Sequence, residues 1–356
     1  MSPQKCPIIL LDGGLGTLLT SPPHLQTFNH STPLWSSHLL LSSPSTLLSA
    51  QSSFATSGAD VLLTATYQVS FEGFANTAPG YAAKDAERYM RSAVGIARQA
   101  LSEGRGKGMG KLALSLGAYG ATMVPSSEYS GVYDSSHSSI TQLRDWHFKR
   151  LEVFLPLKEE EEERRECWRN VDLLAFETVP RIDEVFAVRE AVFMSMGRAE
   201  ERPFWISCVF PGEENRLPDG SSLREVVRAM LGRREGASRP MGVGLNCTKV
   251  GKVDGLVREF EDALKDLGED GRGVSLVIYP DGTRVGERYN TVTQRWEVDE
   301  EARKGGQEKE WDEEVFGIVI RARERGVWES IYVGGCCRVG PEEIGKLRKR
   351  VDKVIN

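Results

Sequence analysis

Short apolar runs alternate along this chain with longer stretches whose apolar positions recur every three or four residues, the pattern of strands and helices taking turns. The runs predict strands at Pro7 to Leu11, Ala59 to Ala65, Lys111 to Leu116, Val171 to Phe176, Pro203 to Val209, Met241 to Leu245, Val274 to Tyr279 and Ile331 to Val333. Between them the helical period predicts Ala82 to Leu101, Ile140 to Glu166, Arg181 to Met196, Leu223 to Leu231, Val253 to Leu267 and Glu313 to Arg325, with a last helix opening at Pro341. Eight βα units are the number that closes a barrel, so the expected fold is α/β, a (β/α)8 TIM barrel forming one domain over residues 1–356.

Two segments break the rhythm. EEEEERR at 159–165 reads as the solvated end of a helix, while 281–311 is polar, contains glycine and is too long for an ordinary βα loop, so it is expected to be a surface insertion. Lys plus Arg number 45 against 51 Asp plus Glu, a formal charge of −6, which lacks the basic field that phosphate backbones require and excludes nucleic acid as the expected partner. No window reaches the roughly 18 apolar residues of a membrane span, so no membrane partner is expected and the protein reads as a cytoplasmic monomer. Six cysteines, two of them adjacent, do not resemble a secreted disulfide framework; a reduced compartment leaves them for metal or catalysis.

In such a barrel chemistry gathers at the C-terminal strand ends. Those positions carry Asp12-Gly13-Gly14, Tyr67, Tyr119, Glu177, Asn246-Cys247 and Gly334-Gly335-Cys336-Cys337. Cys247, Cys336 and Cys337 match no short zinc-finger spacing, but two strand ends that face one pore bring them together, and three thiolates with an open fourth position describe a catalytic Zn2+. A vicinal disulfide at Cys336 and Cys337 is the alternative. Cys6, Cys167 and Cys208 fall in apolar or helical segments and read as packing residues. A zinc already neutralised by three thiolates makes hydroxide poorly and suits an incoming thiol, which it deprotonates near neutral pH while leaving a soft nucleophile. Asp12 and Glu177 read either as helix-capping acids or as partners for a substrate ammonium, with the N–H groups of Gly13 and Gly14 facing a substrate carboxylate. Tyr67 and Tyr119 are half-buried rim aromatics or π faces for a cationic donor. The five histidines close no nucleophilic triad, and Lys249 is offset from the position a Schiff-base lysine would need.

The strings LDGGLGT at 11–17, PLWS at 33–36, GADVLLTATYQ at 58–68, GAYG at 117–120, FETVP at 176–180, GLNC at 244–247, YP at 279–280 and GGCCR at 334–338 together resemble the homocysteine S-methyltransferases. They run in order through nearly the whole chain, and the pairing of Asn-Cys with Gly-Gly-Cys-Cys is their most specific element. The resemblance implies a zinc-containing (β/α)8 barrel with Cys247, Cys336 and Cys337 as metal ligands and with Asp12 and Glu177 contacting homocysteine. It is strongest to the short enzymes that use S-methylmethionine, with S-adenosylmethionine a poorer donor; betaine-using relatives carry a C-terminal extension, and cobalamin-dependent enzymes carry further modules. Selenocysteine or another small thiol as acceptor, and a non-catalytic zinc or redox-sensing barrel, are the alternatives. Asp281 stands where relatives often have Asn, and the loop from Gly282 through Trp296 is longer than theirs.

Overall fold

Apolar runs too short for helices become strands buried on both faces, because each is flanked by helices that cover the outer side of the sheet. The computed structural model describes residues 6–28, 32–77, 80–156, 162–283, 286–290, 295–299 and 309–355. Its strands are β1 (Ile8–Leu10), β2 (Val61–Leu63), β3 (Lys111–Gly117), β4 (Leu173–Val179), β5 (Phe204–Cys208), β6 (Gly242–Lys249), β7 (Ser275–Asp281), a hairpin of β8 (Glu287–Asn290) and β9 (Arg295–Val298), and β10 (Ile331–Val333). Eight of them form one parallel sheet in the order β1-β10-β7-β6-β5-β4-β3-β2. A parallel bridge between Leu11 and Val61 brings the two ends together, so the sheet is a (β/α)8 barrel.

Inward positions of the strands fill the lumen with Leu11, Val61, Ala113, Leu173, Ala175, Trp205, Val277, Tyr279 and Tyr332, while outward ones such as Leu10, Leu62, Leu114 and Leu174 join the larger core under the helices. The lumen is therefore packed, and access is left only at the ends.

Several elements differ from the sequence expectation for identifiable reasons. The helix expected over Ile140 to Glu166 is two, Ile140–Glu152 and Glu162–Arg169, because a turn follows Glu152 and Pro156 cannot continue a helix; 157–161 lie outside the described residues. Pro44–Thr56 is helical although six of its thirteen residues are Ser or Thr, types that favour caps and turns over helix interiors. Asp281 belongs to β7 and Trp311 starts a helix, so the described part of the 281–311 segment is centred on the β8–β9 hairpin. Among the described residues no helix is long and apolar enough to cross a membrane.

Candidate active site

At the C-terminal rim, β4 and β6 run on through the residues that matter. Their registers shift between Phe176 and Val179 and between Asn246 and Lys249, the irregularity that re-aims a side chain beside a site. Thr178 (φ 58°) and Cys247 (φ 49°) both take left-handed backbone, which for a β-branched residue costs on the order of 1–3 kcal/mol and persists only when its surroundings fix it. What fixes it is reciprocal: Thr178 N donates to Asn246 Oδ1 at 2.7 Å and Asn246 Nδ2 donates to Thr178 Oγ1 at 2.6 Å. Ser207 Oγ also donates to Asn246 Oδ1, at 2.8 Å, and Asn246 Nδ2 reaches Cys247 Sγ at 3.2 Å. Asn246 thus aims the thiol and offers an N–H to a thiolate.

The adjacent cysteines sit on a loop stapled to both neighbouring strands. Cys336 N donates to Pro280 O at 2.9 Å, Gly282 N to Cys337 O at 2.7 Å and Gly335 N to Asp12 O at 3.0 Å. Gly14 must lack a side chain here, since a Cβ would lie 2.3 Å from the Cys336 carbonyl oxygen. The three sulfurs of Cys247, Cys336 and Cys337 lie within 4.8 Å of one another, half-buried. Cys247 and Cys336 are joined as a disulfide across 89 residues, so the vicinal pairing considered from sequence is not the one formed, and Cys337 is free. Reduction of that bond leaves three soft donors gathered at the spacing zinc needs, since thiolates about 2.3 Å from a tetrahedral ion stand roughly 3.8 Å apart. Burial, with Asp281 and Glu128 nearby, pushes the Cys337 thiol up to about 12, and only a positive charge beside it would make it a thiolate at neutral pH. The donor set fits the metal.

Buried acids stand on the same rim: Glu128 acts on both Cys337 and Glu177, and Glu177 on Asp12. Glu177 accepts hydrogen bonds from Ser115 Oγ and the Tyr279 hydroxyl, which themselves are held in the lumen. Asp12 Oδ2 accepts from Leu63 N at 2.8 Å, and burial with Glu177 close by holds its carboxyl well above the usual range. Asp12 and Glu177 are brought together, as expected from their strand ends. Gly14, by contrast, has its N–H taken by Val339 O at 2.9 Å, so its amide is not available to a ligand; Gly13 packs its Cα face against Val339 and Phe54. Tyr67 joins the site, its hydroxyl donating to Glu128 Oε2 at 2.5 Å. Tyr119 points elsewhere: its hydroxyl bonds Asp134 and its ring stacks on His137 at 3.8 Å. Lys249 is exposed at the end of β6.

Sequence reasoning missed Glu128 and Tyr129, which lie past the end of β3 in a polar stretch. Glu128 is buried, and Tyr129 hydrogen-bonds Cys337. Arg150, fully buried, donates to the carbonyls of Gly117 at 2.8 Å and Tyr67 at 3.3 Å and so holds the ends of β2 and β3 in place.

Burial lifts both Glu128 and Glu177 from 4.5 to about 7. A carboxyl raised on folding makes the folded state bind more protons, so its contribution to stability is intact below about pH 4.5 and is lost as pH rises through about 7. Neutral, buried His147 acts in the opposite sense, so a variant isolates the effect better than the wild-type curve does. Reduced, metal-free Glu177→Gln should therefore unfold a few degrees above wild type at pH 8, on the order of 1–3 kcal/mol, and close to it at pH 5. Equal melting temperatures at both pH values would show that Glu177 is not ionised at a cost.

The homocysteine S-methyltransferase family model matches residues 9–351. Homocysteine S-methyltransferase 2 of Arabidopsis thaliana is 29% identical over 96% of this chain and 92% of its own length. Betaine-homocysteine S-methyltransferase of Drosophila melanogaster is 30% identical over 97% of this chain and 95% of its own. Of solved structures, the homocysteine methyltransferase MmuM from Escherichia coli in its metallated form superposes with a TM-score of 0.68 at 25% identity, covering 98% of this chain and 97% of that one.

Proposed function

This chain belongs to the homocysteine S-methyltransferase family, and we propose that it methylates homocysteine with a sulfonium donor, S-methylmethionine in preference to S-adenosylmethionine, at a zinc held by Cys247, Cys336 and Cys337. The observation that carries the reading is the convergence of three cysteine sulfurs beside buried carboxylates on one barrel rim. When bound, zinc supplies the positive charge that lets a thiol lose its proton near neutral pH while staying nucleophilic. Asn246 keeps Cys247 aimed and donates to its sulfur. Asp12 and Glu177 receive the ammonium of homocysteine, and Ser115 and Tyr279 keep Glu177 turned toward it; Gly13, packed against Val339 and Phe54, lets the chain after Asp12 pass close to them. Tyr67 offers its ring to the donor. The role foreseen for Tyr119 is restricted to the outer rim, where Asp134 and His137 hold it.

The reaction breaks the methyl C–S bond of the donor and forms a new one to homocysteine sulfur, the donor sulfur leaving with the electron pair. A cationic donor is drawn to an anionic pocket, and transfer within it neutralises charge. Betaine is cationic too. A protein named for betaine aligns with 97% of this chain over 95% of its own length, so betaine is the second reading. We place the reaction in a reducing compartment, the cytoplasm, where the thiols stay available, in a single domain that acts as a monomer.

The experiment is the initial rate of methionine formation from homocysteine at equal concentrations of the three donors. The S-methylmethionine rate should be highest and the betaine rate lowest. Betaine outpacing both sulfonium compounds would overturn the donor, and S-adenosylmethionine leading would overturn only the preference.

A further inference from the structure

Glu128 lies between the helical turn Tyr119–Thr122 and the helix Ile140–Glu152, on a loop folded tightly inward. Ser127 N donates to Gly120 O at 2.9 Å, and a Cβ on Gly120 would stand 2.9 Å from Glu128 N, so the loop brings Glu128 in only because residue 120 is glycine. The side chain is 8% exposed. Among the described residues its one hydrogen-bond partner is the Tyr67 hydroxyl, and no Lys, Arg or His pairs with it. The charges it faces are of its own sign or capable of becoming so: Glu177, Tyr129 and Cys337. A buried carboxylate without a cation is costly, and natural proteins keep one where a cation arrives.

Next in the chain, Tyr129 both hydrogen-bonds Cys337 and lines a cavity of about 460 Å³ that opens between Ser130 and the loop Pro211–Pro218. That volume is in the range of small-molecule sites. Tyr129 thus adjoins both that cavity and Cys337, and buried Glu128 precedes it past the end of β3, whereas Asp12 and Glu177 belong to the ends of β1 and β4. Glu213, Glu214 and Arg216 line the cavity, Arg216 pairing with Glu214 at 3.3 Å.

We propose that Glu128 is the specificity-determining residue that selects a positively charged methyl donor, holding it beside Tyr67 with its methyl group toward the cysteines. This rests on the sulfonium-donor reading above. A neutral thioether of the same shape leaves Glu128 without its cation, so the carboxylate discriminates donor from demethylated product and helps the product leave.

The test uses the intact zinc-loaded protein with Glu128→Gln, an isosteric change that removes the charge. For S-methylmethionine, kcat/KM should fall about 10- to 100-fold, the loss expected when a buried charge-assisted contact is removed. KM for homocysteine should stay within about twofold, and inhibition by methionine competitive with the donor should change no more than that, because methionine shares the donor's head group and lacks its charge. Glu128→Asp should recover part of the loss. An unchanged kcat/KM for S-methylmethionine, a rise in the homocysteine KM instead, or an equal weakening of methionine would overturn the assignment. Failure of the wild-type protein to use any sulfonium donor would overturn the donor reading itself, and it is read without the variant.

Discussion

Serine in place of Cys247, Cys336 or Cys337, one at a time, is expected to strip the metal and reduce methionine formation about a thousandfold or more. Each sulfur stands within 4.8 Å of the other two, so each substitution takes one of three ligands from the same point. A serine hydroxyl stays protonated at neutral pH and is a poor zinc donor, so two thiolates remain where three are needed. Without the ion no positive charge offsets the burial that pushes the Cys337 thiol up to about 12, and an incoming thiol would meet the same surroundings. About 4 kcal/mol of barrier corresponds to that thousandfold loss. Cys208→Ala is the control, because Cys208 is packed in the core under the helices and touches none of the three. Zinc content and methionine rate on the same preparations check this; a Cys337→Ser protein that kept both would refute the ligand set.

Glu177→Gln is expected to retain zinc and raise the homocysteine KM about 10- to 100-fold. The carboxylate is buried, oriented by Ser115 and Tyr279, and coupled to Asp12. On the proposed reading a bound ammonium would complete that arrangement, and charge-assisted hydrogen bonds contribute about 1.5–3 kcal/mol each. Gln keeps the shape and removes the charge, so the donor KM should hardly move. Loss of zinc in this variant would put Glu177 among the metal's ligands, and an unchanged homocysteine KM would remove it from the acceptor site.

Much of this site was legible because a barrel turns sequence order into place. Strand ends must meet at one rim, so Asp12, Glu177, Cys247, Cys336 and Cys337 could be gathered from eight short apolar runs without any knowledge of contacts. The parts that were not legible depend on what backbone meets what. Gly14 looked free to bind a carboxylate until Val339 took its N–H, and Tyr119 sat at a strand end while its hydroxyl found Asp134 on an outer loop. Glu128 and Tyr129 occupy a Ser- and Tyr-containing stretch with no apolar period, and only the inward fold of that loop shows them against Tyr67 and Cys337. Likewise β4 and β6 extend through Glu177 and Cys247 because Thr178 and Asn246 bond each other, a tertiary constraint that neither apolar run announces.

The most direct test strips the reduced protein of metal with a chelator and follows methionine formation from homocysteine and S-methylmethionine as Zn2+ is added back. Activity should be lost on stripping and should rise in proportion to added zinc until about one ion per chain, the number one cluster of three cysteines can hold. Undiminished turnover by the stripped protein would contradict a zinc-dependent transfer.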